Sequence, residues 1–138
     1  MPKTGEHVQR AAQNLEFAQH FDLKTSLYID WAVAAYFYAA LHLVDALLFE
    51  VDGIDPGNHE FRWNFVKNKL YLRGIKNEYW VLKQKSENAR YDLITFTSTK
   101  LENEVIPRYR SIEQHILQQL PSALVGSYRW LTHPKAAP

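Results

Sequence analysis

The chain has 138 residues, of which 46% are hydrophobic, 22% charged and 14% aromatic, and its formal net charge at pH 7 is +1. These values are typical of one compact folded domain, so we expect a single domain over residues 1–138. The absence of cysteine excludes disulfides, thiolate nucleophiles and cysteine-based metal sites. Only five glycines argue against phosphate-binding glycine loops, and helices are favoured. Because the polar N-terminal segment has no apolar signal-peptide core, a cytoplasmic location is predicted.

Charge is distributed unevenly along the chain. Residues 1–61 carry three Lys or Arg against nine Asp or Glu, a net of −6, whereas residues 62–90 carry eight against two, a net of +6. This layout indicates either a basic surface for an anionic partner or neighbouring helices whose opposite charges meet. The candidate nucleic-acid-binding residues of the basic segment are Lys67, Lys69, Arg73, Lys76, Lys83 and Lys85.

The first two periodic segments predict helices. Residues 5–21 space apolar side chains by three and four, which is typical of an amphipathic helix. A second helix is predicted from about Thr25 to Phe49, and its 19 residues from Trp31 onward include only two strongly polar side chains, His42 and Asp45. An ionisable pair one turn apart and the lack of a basic flank argue against a membrane span. We expect instead the central helix of a bundle, with Val33, Phe37, Leu41, Val44 and Leu48 at the centre of the core.

The loop and the third helix are predicted from glycine, proline and a capping residue. Gly and Pro cluster in residues 51–58, and Asn58 is suited to cap a third helix that ends at Gly74. A fourth helix, from about Asn77, places on one stripe Tyr79, Leu82, Ser86, Arg90 and Leu93.

The last part of the chain predicts one more long amphipathic segment and a short helix. The segment from Leu101 ends at Pro121, and Pro107 either starts or kinks its helix. Residues 122–131 have room for a short helix, and residues 132–138 are expected to fray. The predicted fold is therefore all-α, an up-and-down bundle of four long helices plus a short C-terminal helix.

A buried polar centre is predicted because charged residues interrupt otherwise apolar stripes. We expect Asp45 to pair with Arg90, since each would otherwise be an unpaired buried charge. The side chains expected around this pair are His42, His59, Arg62 and Ser86. The pair is interpreted either as a structural ion pair that fixes helix register or as a functional polar centre.

Other catalytic templates find no match. The six histidines form no His-Glu-x-x-His motif, and no metal site and no cofactor are predicted. The residue types of a hydrolytic triad are present, but there is no Gly-x-Ser-x-Gly nucleophile elbow.

The order of three sequence features resembles a known family. The run from Ala35 to Leu48, the Gly/Pro loop followed by His59, and the segment Ser86-Glu87-Asn88-Ala89-Arg90-Tyr91 are together similar to the HEPN domains of bacteria and archaea, over about residues 5–120. The resemblance implies a helical bundle, commonly a homodimer, that works in toxin-antitoxin, defence or RNA-processing systems. It also implies RNA, a nucleotide, or a cognate nucleotidyltransferase or antitoxin protein as partner, and no membrane.

Many members of that family are metal-independent ribonucleases with an Arg followed four to six residues later by a His. If Arg90 is placed on the family's arginine, residues 95–97 hold no histidine. His115 does follow Arg110 and Arg108 at the required spacings, although about one match is expected by chance in such a chain. We therefore expect a non-catalytic or divergent HEPN-like binding domain. The alternatives are a dimeric endoribonuclease that uses Arg110 and His115, and a purely structural oligomerisation module.

Overall fold

A computed structural model describes residues 3–20, 29–91 and 96–132, which are all-α and include no strand. This confirms the predicted fold class. The helices are α1 (Thr4–Gln19), α2 (Ile29–Asp52), α3 (His59–Asn68), α4 (Lys76–Tyr91), α5 (Ser98–Lys100), α6 (Ile106–Leu117) and α7 (Ser122–Thr132). A 3-10 helix, Leu70–Ile75, joins α3 to α4, and a π-helical turn, Leu101–Val105, joins α5 to α6.

Helix α2 is the central element of the bundle. It is buried around most of its circumference, because small alanines let neighbouring helices approach. The residues predicted to lie at the centre of the core are all buried, namely Val33, Phe37, Leu41, Val44 and Leu48. By length and composition it could cross a membrane, but 83% of its most apolar window is buried inside the protein, as in the core helix of a soluble protein. The predicted start near Thr25 lies outside the described residues, and the helix extends past Phe49 to Asp52.

Three helices cover α2. Helix α1 packs along it more extensively than any other helix, while α4 and α6 pack against its remaining faces and α7 packs on α1. Helix α1 buries one stripe, Val8, Ala11, Leu15 and Ala18, as its spacing predicts. The polar residue His7 is also buried on this side, which brings it against α2.

The loop between α2 and α3 places both of its glycines at positive φ. Gly53 has φ 66° and Gly57 has φ 76°, a backbone region that suits glycine. Asn58 caps α3 as predicted, because its side chain accepts a hydrogen bond of 2.8 Å from the Phe61 backbone N–H.

The prediction that the third helix ends at Gly74 is wrong. Helix α3 ends at Asn68, and the extended Lys69 leads into the 3-10 helix that contains Gly74. Leu72 and Ile75 are both buried, and their spacing of three matches the 3-10 repeat. Apolar spacing of three and four does not distinguish a continuous helix from this break.

The C-terminal elements lie close to the predicted segments, although α6 ends at Leu117 rather than at Pro121. Pro107 is the second residue of α6, so it starts the helix rather than kinking it. Helix α7 forms over Ser122–Thr132, while Leu93 and the tail from His133 lie outside the described residues.

Candidate functional site

Asp45 of α2 and Arg62 of α3 form a buried ion pair. Arg62 Nε donates to Asp45 Oδ1 at 2.7 Å and Arg62 Nη2 donates to Asp45 Oδ2 at 2.9 Å. The two residues are only 2% and 6% exposed, respectively. Burial raises the pKa of the Asp45 carboxyl, while the hydrogen bonds and charge of Arg62 oppose that rise. Burial also acts to lower the pKa of Arg62, but Asp45 more than offsets this and the pKa is raised. This two-point contact fixes how α3 lies on α2.

The predicted pair of Asp45 with Arg90 is therefore wrong. Arg90 Nη1 donates to the Tyr38 hydroxyl at 2.6 Å, Arg90 Nε donates to the Ser86 carbonyl at 3.2 Å, and the guanidinium lies over the Tyr38 ring. Tyr38 precedes Asp45 by seven residues, or about 10 Å along a helix. Arg90, which contacts Tyr38, therefore lies about two helical turns away from the Asp45 carboxylate. The Ser86 hydroxyl is buried and has no hydrogen-bond partner within the described part of the chain.

His59 lies between the ion pair and the surface. It is exposed, and its Nδ1 is 3.5 Å from Arg62 Nη1. Partial burial lowers the pKa of His59, and the positive charges of Arg62, Lys83 and Arg90 lower it further. The lowered pKa favours the neutral imidazole, and of the three cations around it Arg62 and Lys83 are themselves paired with Asp45 and Glu87.

An aromatic pair adjoins this cationic cluster. The Trp63 and Trp80 rings lie 4.8 Å apart, and Trp63 stacks against the buried Tyr79 at 6.3 Å with an interplanar angle of 12°. Lys67 lies over the Trp63 ring and Lys83 over the Trp80 ring, at 5.7 and 5.6 Å. We call the surface formed by Trp63, Lys67, Trp80, Lys83, His59 and Arg90 the basic–aromatic face.

The six lysines and arginines predicted to bind nucleic acid fall into two groups. Three of them are in ion pairs, Lys69 with Asp52 at 2.9 Å, Lys83 with Glu87 at 2.6 Å and Lys85 with Glu104 at 2.9 Å. The other three, Lys67, Arg73 and Lys76, are exposed and make no ion pair with the described residues. The basic segment is thus partly neutralised by acidic neighbours and partly available to an anionic partner.

The structure does not bring the predicted catalytic residues together within one chain. Arg110 Nη1 donates to both Glu113 carboxylate oxygens at 2.9 and 3.0 Å, and Arg108 donates to the Glu104 carbonyl. His115 Nε2 is 2.8 Å from the Tyr71 carbonyl. Arg110 and His115 are five residues apart on α6, so they project about 140° from each other.

A second polar cluster adjoins the Asp45 carboxylate, and it joins His42, which was expected near Asp45, to His7, which was not. His7 Nδ1 and His42 Nδ1 are 3.2 Å apart, and His7 Nε2 is 3.5 Å from Asp55 Oδ1. Burial lowers the pKa of His42 to about 4, with further lowering by nearby positive groups. A cavity of about 320 Å³ opens beside the two rings and is also lined by Glu6 and Arg10.

His7 carries a sequence signal that was available but unused. It lies four residues before Ala11 and eleven before Ala18, on the buried stripe of α1, so a polar ring there must face a partner in the core. Within the described residues, His7, His42 and Asp45 are the group whose ligand atoms all lie within 4.8 Å of one another, a spacing that suits a metal ion.

Comparisons of the chain with family models, with curated proteins and with solved structures gave no match. The HEPN resemblance therefore stays an expectation.

Proposed function

We propose that the protein is a non-catalytic, HEPN-like RNA-binding domain that holds single-stranded RNA on its basic–aromatic face. The observation that carries this proposal is the pair of tryptophan rings, each with a lysine ammonium over it. A homodimer and a cognate nucleotidyltransferase or antitoxin protein belong to the same proposal, because the HEPN resemblance implies them. A cytoplasmic location also belongs to it, and the absence of cysteine supports it.

Exposed aromatic rings favour unpaired bases over a duplex. Trp80 is 40% exposed, so a base can stack on its free surface, whereas bases in a duplex are already stacked on one another. Tyr79 supports Trp63 from the protein interior, which holds the platform rigid before a ligand arrives.

Cations at the edge of the platform are placed for the phosphate backbone. Lys67 and Lys83 lie at the rings, and Arg90 lies near His59. Lys76 and Arg73, exposed in the segment just before and at the start of α4, extend the positive surface. Such a groove binds RNA without strong sequence preference and with a marked salt dependence.

The test is a fluorescence-anisotropy titration of a labelled single-stranded RNA. If about three phosphates are neutralised, affinity should fall roughly 20-fold between about 50 and about 200 mM salt. Trp80→Ala should weaken binding by about 5- to 150-fold, which corresponds to the loss of one stacked base. Trp130→Ala is the matched control, since Trp130 is an exposed tryptophan on α7, a helix that packs on α1.

Two results would contradict the proposal. One is that the wild-type protein does not bind RNA even at low salt. The other is that Trp80→Ala and Trp130→Ala bind equally well. Lys67→Gln provides a second check, because removal of one phosphate contact should lower the salt slope by about 0.7, whereas Arg129→Gln on α7 should leave it unchanged.

A metal-independent endoribonuclease is the second candidate, and the setting of His59 favours it. A neutral imidazole can accept a proton from a ribose hydroxyl while Lys83 and Arg90, near the ring, stabilise negative charge on the phosphate. An endoribonuclease centred on His59 should cleave RNA in the presence of EDTA, and this cleavage should be lost in His59→Ala and kept in His115→Ala. Cleavage lost only in His115→Ala would place the reaction on α6 instead.

A further inference from the structure

We propose that His7, His42 and Asp45 form a binding site for a divalent transition metal, of which Zn²⁺ is the best fit. The site lies between α1 and α2 and is separate from the basic–aromatic face, so it goes beyond the proposed RNA binding. Two imidazoles and one carboxylate are a ligand set that suits Zn²⁺, whereas Mg²⁺ and Ca²⁺ prefer sites made of oxygen atoms.

The spacing of the two imidazoles agrees with that of ligands on one ion. Nitrogen ligands lie about 2.1 Å from Zn²⁺, so two of them in a tetrahedral arrangement are about 3.4 Å apart. His7 Nδ1 and His42 Nδ1 are 3.2 Å apart. Asp45 completes a set of ligand atoms that all lie within 4.8 Å of one another, so a small adjustment of side chains brings the carboxylate to the ion.

His7 is the residue that apoprotein packing explains least. It is 4% exposed, and its Nε2 is buried without a hydrogen-bond partner within the described residues. That nitrogen is 3.5 Å from Asp55 Oδ1. If it carries the ring proton and points it at Asp55, the Nδ1 lone pair is left for a metal. Metal-bound histidines usually donate their other N–H to a carboxylate in this way.

The Asp45 carboxylate can bind a metal without leaving Arg62. Each of its oxygens accepts one hydrogen bond from Arg62 and keeps a further lone pair. The local charges permit a divalent cation, because three carboxylates, Glu6, Asp45 and Asp55, outnumber two guanidiniums, Arg10 and Arg62.

A fourth ligand can reach the ion from the adjoining cavity. The cavity of about 320 Å³ is open to solvent at His7 and His42, and Glu6 lies on its wall. Either a water molecule or the Glu6 carboxylate can therefore complete a tetrahedral shell.

The experiment is a titration of the full chain, stripped with a chelator, with Zn²⁺ by calorimetry and with Co²⁺ by visible absorption. We expect one equivalent to bind and the absorption bands of tetrahedral Co²⁺ to develop. Asp55→Asn should weaken Zn²⁺ binding by about 10- to 100-fold, and His7→Gln or His42→Gln by more than that. The matched control is His20→Gln, which alters an exposed histidine at the end of α1 and should bind like the wild type.

The proposal is overturned if the wild-type chain binds no stoichiometric Zn²⁺, or if His7→Gln and His42→Gln bind as well as His20→Gln. If the variants fail to fold, a measurement on the wild-type protein still tests the proposal. In long-range ¹H–¹⁵N spectra, Zn²⁺ should shift the ring nitrogens of His7 and His42 and leave those of His59 and His115 in place. Unshifted His7 and His42 nitrogens in a zinc-saturated sample would equally refute it.

Discussion

Removing one partner of the Asp45–Arg62 pair should destabilise the protein strongly. Each of the two hydrogen bonds is charge-assisted and contributes about 1.5–3 kcal/mol, so their sum is about 3–6 kcal/mol. This agrees with the cost of about 3–5 kcal/mol for leaving one member of a buried pair uncompensated. At about 3 °C per kcal/mol for a domain of this size, Asp45→Asn or Arg62→Met should lower the Tm by about 10–15 °C.

The assay is a double-mutant cycle of urea unfolding followed by circular dichroism at neutral pH. The variants are Asp45→Leu, Arg62→Met and the double substitution. Because an apolar pair of similar volume removes both charges, the double variant should be close to neutral relative to the wild type. Because each single variant costs about 3–5 kcal/mol and the double variant about none, the coupling free energy should be about 6 kcal/mol or more in favour of the native pair.

Small, additive effects would refute this reasoning. If both single variants lose less than about 1 kcal/mol and their effects add within about 0.5 kcal/mol, the two side chains are not energetically coupled. The control is Glu87→Gln, which breaks the i,i+4 pair with Lys83 on the surface of α4 and should cost no more than about 0.5 kcal/mol.

Two other predictions concern His59 and Gly74. The pKa of His59 is lower in the folded state than its ordinary value of about 6.5, so the unfolded state binds the proton more readily and stability should fall as pH drops below about 6.5; urea unfolding from pH 7 to pH 5 should show a smaller loss in His59→Gln. A Cβ at position 74 would lie 2.9 Å from His115 Cε1, so Gly74→Ala should displace the ring from the Tyr71 carbonyl and cost about 1–3 kcal/mol. Gly126→Ala on α7 meets no atom within 4 Å and should instead stabilise the protein by about 0.5–1 kcal/mol, measured by the same unfolding assay.

Each of these has a clear contrary result. An unchanged pH dependence in His59→Gln would mean that this ring does not titrate differently on folding. If Gly74→Ala and Gly126→Ala change the free energy of unfolding equally, the His115 ring moves aside without loss of stability.

Features that depend on local sequence were predictable. The apolar run of α2, the Gly/Pro loop and the Asn58 cap are each determined by a few neighbouring residues, and the structure contains all three. The break after Asn68 was missed because Leu72 and Ile75 keep a spacing that a continuous helix shares.

The partner of Asp45 was not predictable, because pairing between helices depends on how they cross. Both Arg62 and Arg90 sit on stripes that face the core, and nothing within either helix decides which one reaches the carboxylate. The structure answers this through Tyr38, which holds Arg90 two turns away. His7 was missed although its position on the buried stripe of α1 is a local signal, because a stripe defined by apolar residues alone leaves a histidine out.

The central position of α2 has a consequence for the protein during its synthesis. On the ribosome, α1 and α2 leave the exit tunnel before α4 and α6, the helices that pack on the other faces of α2. Translation of the 65 residues from Gly53 to Leu117, where α6 ends, takes about 3–13 s at ordinary elongation rates. For that interval the nascent chain displays a 24-residue apolar helix, a substrate for chaperones and for membrane-insertion machinery alike. Codon choice between residues 53 and 117 therefore sets how long the exposure lasts.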